Sequence, residues 1–202
     1  MKILIACEES GKVRDAFRRL GHDAWSCDTM PTRPESEFPE FHYQQDVVPL
    51  LVEQWDMLIG FPPCTFLCNS GVSWLHKDPE RWAKLDDGAR LFKALLDAPI
   101  SRICLENPVP HKYAVARIGR KYDQTVQPWH FGHAESKRTC FWLKGLPALT
   151  PTSDLEAETK ARPKKDAQRL HWASPGPDRA KLRSETFSGI AQAMASQWGC
   201  EL

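Results

Sequence analysis

Short apolar runs alternate with amphipathic segments in the first half of the chain, and this alternation restricts the possible folds more than any other feature. Four runs have the length and composition of buried strands, at residues 2–6, 22–27, 55–60 and 101–105. Two segments repeat apolar residues at helical spacing, at residues 13–20 and 85–96. The alternation predicts an α/β fold with a mostly parallel sheet and helices on both faces. In such sheets the functional residues lie at the carboxyl ends of the strands.

The second half of the chain has a different pattern. Residues 126–131 and 139–143 resemble two strands joined by a polar turn, which predicts an antiparallel pair. Residues 145–182 are rich in proline and charge and predict a loop, and residues 186–198 predict a final amphipathic helix. Because 202 residues is an ordinary length for one domain, we expect a single domain over residues 1–202.

The cysteine pattern and the hydropathy exclude several classes. No apolar run approaches the roughly 18 residues that a membrane span needs, and residues 1–5 lack the apolar region of a signal peptide. We therefore expect a cytoplasmic protein with no membrane partner. The seven cysteines have no zinc-site spacing, since Cys64 and Cys68 are four residues apart, so we expect free thiols and no metal.

Positive charge is concentrated near the C-terminal end. The formal net charge is only +1, but between Lys160 and Arg183 eight Lys or Arg residues stand against Asp166 and Asp178. Such a segment is either a solvated loop or a surface that contacts phosphates.

The first strand, helix and second strand form a unit that suits an adenosine-containing cofactor. The turn at residues 7–11 comes at the start of the helix, and Asp28 follows the second strand, where an acid can bind ribose hydroxyls. The turn has one glycine, Gly11, instead of a Gly-x-Gly-x-x-Gly motif, so a pyrophosphate cradle is not indicated. S-adenosylmethionine fits this pattern better than NAD, and an ordinary βαβ unit is the alternative.

Three strand ends carry candidate chemistry. Pro62 and Pro63 stiffen the backbone before Cys64, which suits a nucleophile, although a buried thiol at a structural turn is equally consistent. Glu106 ends the next strand and can act as an acid if its pKa is raised, or can cap a turn. Arg138, between the two later strands, can point at a ligand or at solvent.

Taken in order, these motifs resemble those of DNA (cytosine-5)-methyltransferases. The nucleophile motif at 60–64 followed by Glu-Asn at the next strand end is the most specific part of the resemblance. The weaker elements, informative through their order, are residues 6–11, Asp28, residues 45–47, 90–92, 136–139 and 188–191. The resemblance covers about residues 3–145 and the last fifteen, and it is greatest for short, phage-type members of the family.

The resemblance implies a Rossmann-like S-adenosylmethionine-dependent methyltransferase fold and a role for each matching residue. The implied catalytic residues are Cys64, which attacks C6 of cytosine, Glu106, which protonates N3, and Arg138, which orients the base. The implied cofactor-binding residues are Cys7, Glu8, Ser10, Gly11, Asp28, Asp46 and Pro62. The predicted substrate-binding residues are Pro63, Asn107, Lys137, Lys164 and Lys165, and the implied partner is DNA, either duplex or single-stranded.

The sequence departs from the family in three places. The first motif lacks Phe-x-Gly-x-Gly, Pro108 stands where the family has valine, and residues 146–185 are too short for a full target-recognition domain. Two alternatives therefore stay open: the same chemistry on a free nucleotide, single-stranded DNA or RNA, and a non-catalytic nucleic-acid-binding protein on the same fold. A metal-dependent enzyme is disfavoured because the three candidate histidines lack ligand spacing, at His111, His130 and His133.

Overall fold

A single seven-stranded sheet forms the centre of the computed structural model, which describes residues 1–176 and 178–200. The strands are β1 (Lys2–Ala6), β2 (Asp23–Asp28), β3 (His42–Gln44), β4 (Met57–Gly60), β5 (Arg102–Pro108), β6 (Gln124–Val126) and β7 (Thr139–Lys144). Their order across the sheet is β3-β2-β1-β4-β5-β7-β6. β1 to β5 pair in parallel, whereas β7 runs antiparallel to both β5 and β6.

Helices cover both faces of the sheet. They are α1 (Lys12–Arg19), α2 (Glu80–Leu96), α3 (Lys112–Ile118), α4 (Glu156–Ala161), α5 (Lys164–Ala167), α6 (Asp178–Ser184) and α7 (Ser188–Trp198). An apolar core lies on each face of the sheet. Because side chains alternate along a strand, β1 contributes side chains to both cores. Ile3 and Ile5 pack in the core beneath α1 and α7, and Leu4 packs in the core beneath α2 and α3. This is a Rossmann-like α/β fold, with a mostly parallel sheet and helices on both faces, as the sequence predicts.

The strand pattern at the carboxyl ends determines where functional side chains meet. Ala6 is paired with Gly60, and Gly60 is paired with Leu105, so β1, β4 and β5 end at the same edge of the sheet. β5 continues past this level to Pro108 because β7 pairs with it there, opposing Glu106 with Phe141 and Pro108 with Thr139. The segments after β1 and β4 and the end of β5 therefore surround a common space.

Two predictions about the second half were wrong in detail. The strand predicted at 126–131 is instead the three-residue β6 followed by a 3₁₀ turn, Pro128–Phe131, because Pro128 has no N–H to donate to a sheet. The loop predicted at 145–182 contains α4, α5 and the start of α6. Its Lys, Glu and Ala residues favour short helices, and α4 carries a Glu156–Lys160 ion pair with an N–O distance of 2.7 Å.

Three helical segments were not predicted from the sequence. A 3₁₀ segment, Val48–Val52, precedes β4, a second one, Asn69–His76, follows the Cys64 loop, and α3 follows β5. Over residues 1–176 and 178–200, none of the helices combines the length and apolar character needed to cross a bilayer.

Candidate active site

A cavity of about 110 Å³ lies at the carboxyl ends of β1, β4 and β5. Its walls come from the segment after β1, the segment after β4, the end of β5, the turn before β7 and the segment that connects α6 to α7. The lining residues are Cys7, Glu8, Glu9, Ser10, Arg33, Phe61, Pro62, Pro63, Cys64, Glu106, Pro108, Lys137, Arg183, Ser184, Glu185 and Thr186. The structure thus brings together the predicted nucleophile, the predicted acid and part of the predicted cofactor loop.

Cys64 stands at the start of a tight helical turn. Its carbonyl oxygen accepts hydrogen bonds from the N–H groups of Leu67 and Cys68, both at 3.0 Å. The preceding Phe61 N–H donates to the Ala6 carbonyl at 2.9 Å, so the loop leaves the sheet directly before the two prolines. The Cys64 side chain is half-buried and faces the cavity. These bonds fix the backbone that carries the thiol.

The pKa values of Cys64 and Cys68 shift in opposite directions. The neighbouring Cys68 and burial raise the pKa of Cys64, and Glu106 adds to this effect while Lys137 opposes it. The neighbouring Cys64, together with Ser70 and Gly71, lowers the pKa of Cys68 against the effect of burial. The Cys68 Sγ lies 3.0 Å from the Ser70 Oγ.

Glu106 is the half-buried acid that lines the cavity. Burial raises its pKa, while the nearby Lys137 ammonium and a hydrogen bond from Thr139 oppose that rise. The β5–β7 register places Glu106 and Thr139 on the same face, because Glu106 is opposite Phe141 and Thr139 lies two residues before Phe141, and Lys137 lies two residues before β7. A carboxyl group in this setting keeps its proton to a higher pH than an exposed glutamate does.

Lys137 lines the cavity, whereas Arg138 does not. The Lys137 ammonium lies 3.4 Å from the Glu185 carbonyl oxygen. Arg138 is exposed and projects from the opposite face, beside Cys140, whose thiol pKa it lowers against the dominant effect of burial. The predicted catalytic role of Arg138 is therefore not supported by its position, and Lys137 occupies the place expected for it.

Asn107 is another predicted substrate residue that does not line the cavity. It alternates with Glu106 along β5 and so points to the opposite face, where it is completely buried. Its amide nitrogen donates to the Pro108 carbonyl at 2.7 Å, and its Oδ1 atom has no protein partner among the described residues.

Glu8, at the end of β1, binds the start of α1. Its carboxylate oxygens accept the Val13 N–H at 2.7 Å and the Arg14 N–H at 3.3 Å, and the Ser10 hydroxyl donates at 3.2 Å. Gly11 precedes α1 with a φ of 72° and supplies no side-chain cap, so Glu8 performs that function. The helix N-terminus, which binds phosphate in many α/β proteins, is thus filled by the chain itself.

Asp28 and Asp46 lie near Cys7. Burial raises the pKa of the Cys7 thiol to about 12, with further contributions from Asp28, Cys27 and Asp46. Asp28 Oδ1 accepts the Met30 N–H at 2.9 Å, and Asp46 Oδ1 accepts the Val48 N–H at 3.0 Å. In each carboxylate, the hydrogen bond to one oxygen fixes the orientation of the group. The second oxygen can accept a hydrogen bond from a ligand hydroxyl or amino group. Carboxylates beside a phosphate-free helix start fit S-adenosylmethionine.

The basic segment packs beside the cavity. Lys164 and Lys165 are exposed on α5, which is attached to the turn before β7 by a bond of 2.6 Å from the Ser136 N–H to the Ala167 carbonyl. Arg169 pairs with Glu135 of the same turn at 2.9 Å. The two lysines do not line the cavity, but they flank the turn that carries Lys137.

An ion-pair network holds the segment at residues 181–186 against the cavity. The Arg33 side chain is 5% exposed and pairs with Glu9 at 2.7 Å and Glu185 at 2.6 Å. It also donates to the Lys181 carbonyl at 3.1 Å, and Lys12 forms a second ion pair with Glu185. Sequence analysis missed Arg33 and Glu185, which are 152 residues apart, and no local pattern identifies them.

The chain has matches among solved structures. No protein-family model matches the chain, and a search of curated proteins also returned no match. One similar solved structure is an E. coli prophage-encoded protein described as a DNA modification methyltransferase. It is 17% identical, the TM-score is 0.45, and the match covers 75% of this chain and 51% of that protein. This chain therefore spans about half the length of that protein. Within residues 1–176 and 178–200, no group of three or more His, Cys, Asp or Glu side chains could hold a metal ion.

Proposed function

We propose that this chain is an S-adenosylmethionine-dependent cytosine-C5 methyltransferase that acts on DNA, with Cys64 as the nucleophile. The observation that carries the proposal is that Cys64, Glu106 and Lys137 line one cavity at adjoining strand ends. A sulfur nucleophile, an acid and a cation are the groups needed to add to C6 of a pyrimidine and balance the charge that develops in the ring.

In the proposed mechanism, the Cys64 thiolate bonds to C6 and the ring electrons move toward N3 and C5. Glu106 holds a proton for N3 because burial raises its pKa. Lys137 stabilises negative charge in the ring, the role that the family resemblance gave to Arg138. S-adenosylmethionine, when bound, supplies the methyl group that C5 accepts. Loss of the C5 proton, departure of Cys64 and return of the N3 proton to the Glu106 carboxylate then restore the aromatic ring.

The proposed cofactor site adjoins the nucleophile across the end of β1. Asp28 is proposed to bind the ribose hydroxyls and Asp46 the adenine, with Cys7, Ser10, Gly11 and Pro62 forming the surrounding wall. Glu8 contributes indirectly, since its oxygens already bind the start of α1.

DNA is proposed to approach along the basic segment. Lys164 and Lys165 are exposed beside the turn that carries Lys137, and contacts from such residues to phosphates would be independent of sequence. A cavity of about 110 Å³ admits a single base and not a duplex. A duplex substrate would therefore present its cytosine flipped out of the helix.

The test is transfer of labelled methyl from S-adenosylmethionine to duplex DNA, single-stranded DNA, RNA and dCMP. We expect label in 5-methylcytosine of DNA with the wild type and none with Cys64→Ala, which should retain its fold and cofactor affinity. If label appeared only in RNA or only in dCMP, that molecule would be the substrate instead of DNA. Label with Cys64→Ala, or at another atom of the base, would contradict the covalent mechanism.

A non-catalytic nucleic-acid-binding protein is the second candidate. It is favoured by the small cavity, whose volume is below the roughly 300 Å³ at which ordinary ligand sites begin. Calorimetric titration with S-adenosylmethionine separates the two. No heat of binding, combined with tight binding of DNA, would favour this candidate over the enzyme.

A further inference from the structure

Four cations lie on the surface that adjoins the Cys64 loop, and they form no ion pair with any side chain that the structure describes. Three of them are exposed lysines, and the full set is Lys77, Arg81, Lys84 and Lys112. Most carboxylates of the same stretch are engaged elsewhere, in ion pairs or backbone bonds, namely those of Asp78, Asp86 and Asp87. The positive charge of this surface is therefore largely uncompensated by the protein itself.

Aromatic rings lie among these cations. The Trp74 indole is 55% exposed, and the Lys77 ammonium lies 4.9 Å from its ring centroid. The Arg81 guanidinium and the Lys84 ammonium lie 4.7 Å and 6.0 Å from the centroid of the Phe66 ring. The aromatic–cationic surface consists of Phe66, Trp74, Lys77, Arg81, Lys84 and Lys112.

The aromatic–cationic surface adjoins the cavity, because Phe66 follows Cys64 by two residues. A bond of 2.8 Å from the Asn69 N–H to the Val109 carbonyl joins the segment after Cys64 to the segment after β5. His111 Nε2 lies 2.9 Å from the Phe66 carbonyl oxygen, which places the start of α3 beside the same segment. A nucleotide chain with one base in the cavity would therefore have its neighbouring nucleotides beside this surface.

The combination of an exposed ring and unpaired cations fits a single strand better than a duplex. Lysines attract the phosphates of either form. An indole can stack only on a base whose own face is free, and a duplex covers each base face with the neighbouring pair. Because the Lys77 ammonium lies beside the Trp74 ring, one nucleotide can stack its base on the indole and place its phosphate at the ammonium.

We propose that the aromatic–cationic surface binds single-stranded DNA, with a base stacked on Trp74 and phosphates at Lys77, Lys84 and Lys112. The strand that presents the target base to Cys64 continues over this surface, and this second statement rests on the proposed function. Single-stranded DNA, and not the duplex, is then the substrate class of the cavity. A base in a single strand reaches the thiol without the cost of leaving a paired stack.

The test measures binding of labelled single-stranded DNA, of its duplex and of RNA with the same sequence, by fluorescence anisotropy without S-adenosylmethionine. We expect the wild type to bind single-stranded DNA most tightly. Trp74→Leu keeps an apolar side chain but no ring, and it should weaken binding of the single strand about tenfold. The salt dependence should stay the same in this variant, because stacking releases no counterions. Trp74→Phe, which keeps a ring, should recover most of the affinity.

Lys84→Gln tests the phosphate contacts, with Lys93→Gln as its matched control. Both lysines are exposed on α2, but Lys93 lies about 14 Å further along the helix and on its opposite side. Lys84→Gln should weaken binding of the single strand about threefold or more. It should also reduce the slope of log K against log salt by about 0.7, the value for one phosphate of a single strand. Lys93→Gln should match the wild type in both.

Tighter binding of the duplex or of RNA by the wild type would overturn the proposal, and so would equal affinity of Trp74→Leu and the wild type for the single strand. If Trp74→Leu fails to fold by circular dichroism, the comparison of Lys84→Gln with Lys93→Gln decides, and equal salt slopes in these two variants would overturn the proposal.

The titration needs no methyl transfer, so its result is separate from that of the proposed function. Weakened binding in Trp74→Leu, in a protein that transfers no methyl group, would overturn the proposed function and leave the surface assigned. Methyl transfer to duplex DNA at equal rates in the wild type and Trp74→Leu would overturn the single-stranded substrate and leave the proposed function in place.

Discussion

Glu8, which follows β1, and Glu106, near the end of β5, are two glutamates at the same edge of the sheet, and they differ in what surrounds them. Burial raises the pKa of both carboxyl groups. Glu8 is bonded by two backbone N–H groups, with Ser10 donating as well. Glu106 accepts no backbone N–H among the described residues, and only Lys137 and Thr139 oppose its raised pKa.

This difference separates a carboxylate that binds the protein's own backbone from the one that we propose as the acid. The oxygens of Glu8 bind the start of α1 and position the turn after β1. The carboxyl group of Glu106 instead faces the cavity with a cation and a hydroxyl beside it. Burial alone therefore does not identify a functional acid, and the identity of the hydrogen-bond donors does.

The largest effect expected at these two positions is for Glu106→Gln. Loss of a general acid lowers kcat by about 10²- to 10⁴-fold, while KM should change less because protonation matters mainly in the transition state. The raised pKa also means that wild-type kcat should fall as the pH rises through that pKa, since the protonated form is required. Steady-state methyl transfer from pH 5 to 9 checks both. An unchanged kcat would remove Glu106 from the mechanism.

The second prediction concerns the cation beside Glu106. Lys137→Met should lower kcat by about 10²-fold, as removal of one group that stabilises developing charge commonly does. Arg138→Met is the matched control, because Arg138 is exposed on the other face, and it should stay within about threefold of the wild type, as surface charges contribute little. A larger loss of kcat in Arg138→Met than in Lys137→Met would return the role to Arg138, as the family resemblance implied.

The third prediction concerns Asp28, the last residue of β2, and its contribution to cofactor affinity. Asp28→Asn should weaken binding of S-adenosylmethionine about tenfold, the size expected when charge-assisted hydrogen bonds to hydroxyls are replaced by neutral ones. Glu9→Gln serves as the control, since Glu9 pairs with Arg33 and has no assigned cofactor contact in the proposal. Calorimetric titration measures both, and equal weakening would move the cofactor contact away from Asp28.

The smallest effect is on stability. Glu8→Ala leaves the first N–H groups of α1 without an acceptor and should lower the free energy of unfolding by about 1–2 kcal/mol, the usual cost of a lost helix cap. Urea unfolding measures this value. Ser10→Ala removes a single neutral donor and should cost less, about 1 kcal/mol. A Glu8→Ala protein as stable as the wild type would show that the cap contributes nothing.

The sequence predicted the strand ends better than it predicted side-chain direction. Cys64 and Glu106 follow buried strands, so the fold alone brings them close. Arg138 and Lys137 are adjacent in sequence, and only the β5–β7 register, which opposes Pro108 and Thr139, decides which one faces the cavity. Glu8 was predicted to bind cofactor because it follows β1, and this stays a prediction, whereas its bonds to the start of α1 depend on the path of the turn and could not be predicted from the sequence.

The ion pairs of Arg33 and the exposed lysines of α5 should respond differently to ionic strength. Salt screens exposed charges strongly and buried pairs much less. Phosphate contacts from the exposed Lys164 and Lys165 should weaken as salt is added, whereas the pairs of the 5%-exposed Arg33 with Glu9 and Glu185 should persist. High salt would thus release bound DNA from the exposed lysines, while residues 181–186 stay in place beside the cavity. The proposed binding of DNA and the access of a ligand to the cavity therefore depend on charges that differ in their sensitivity to salt.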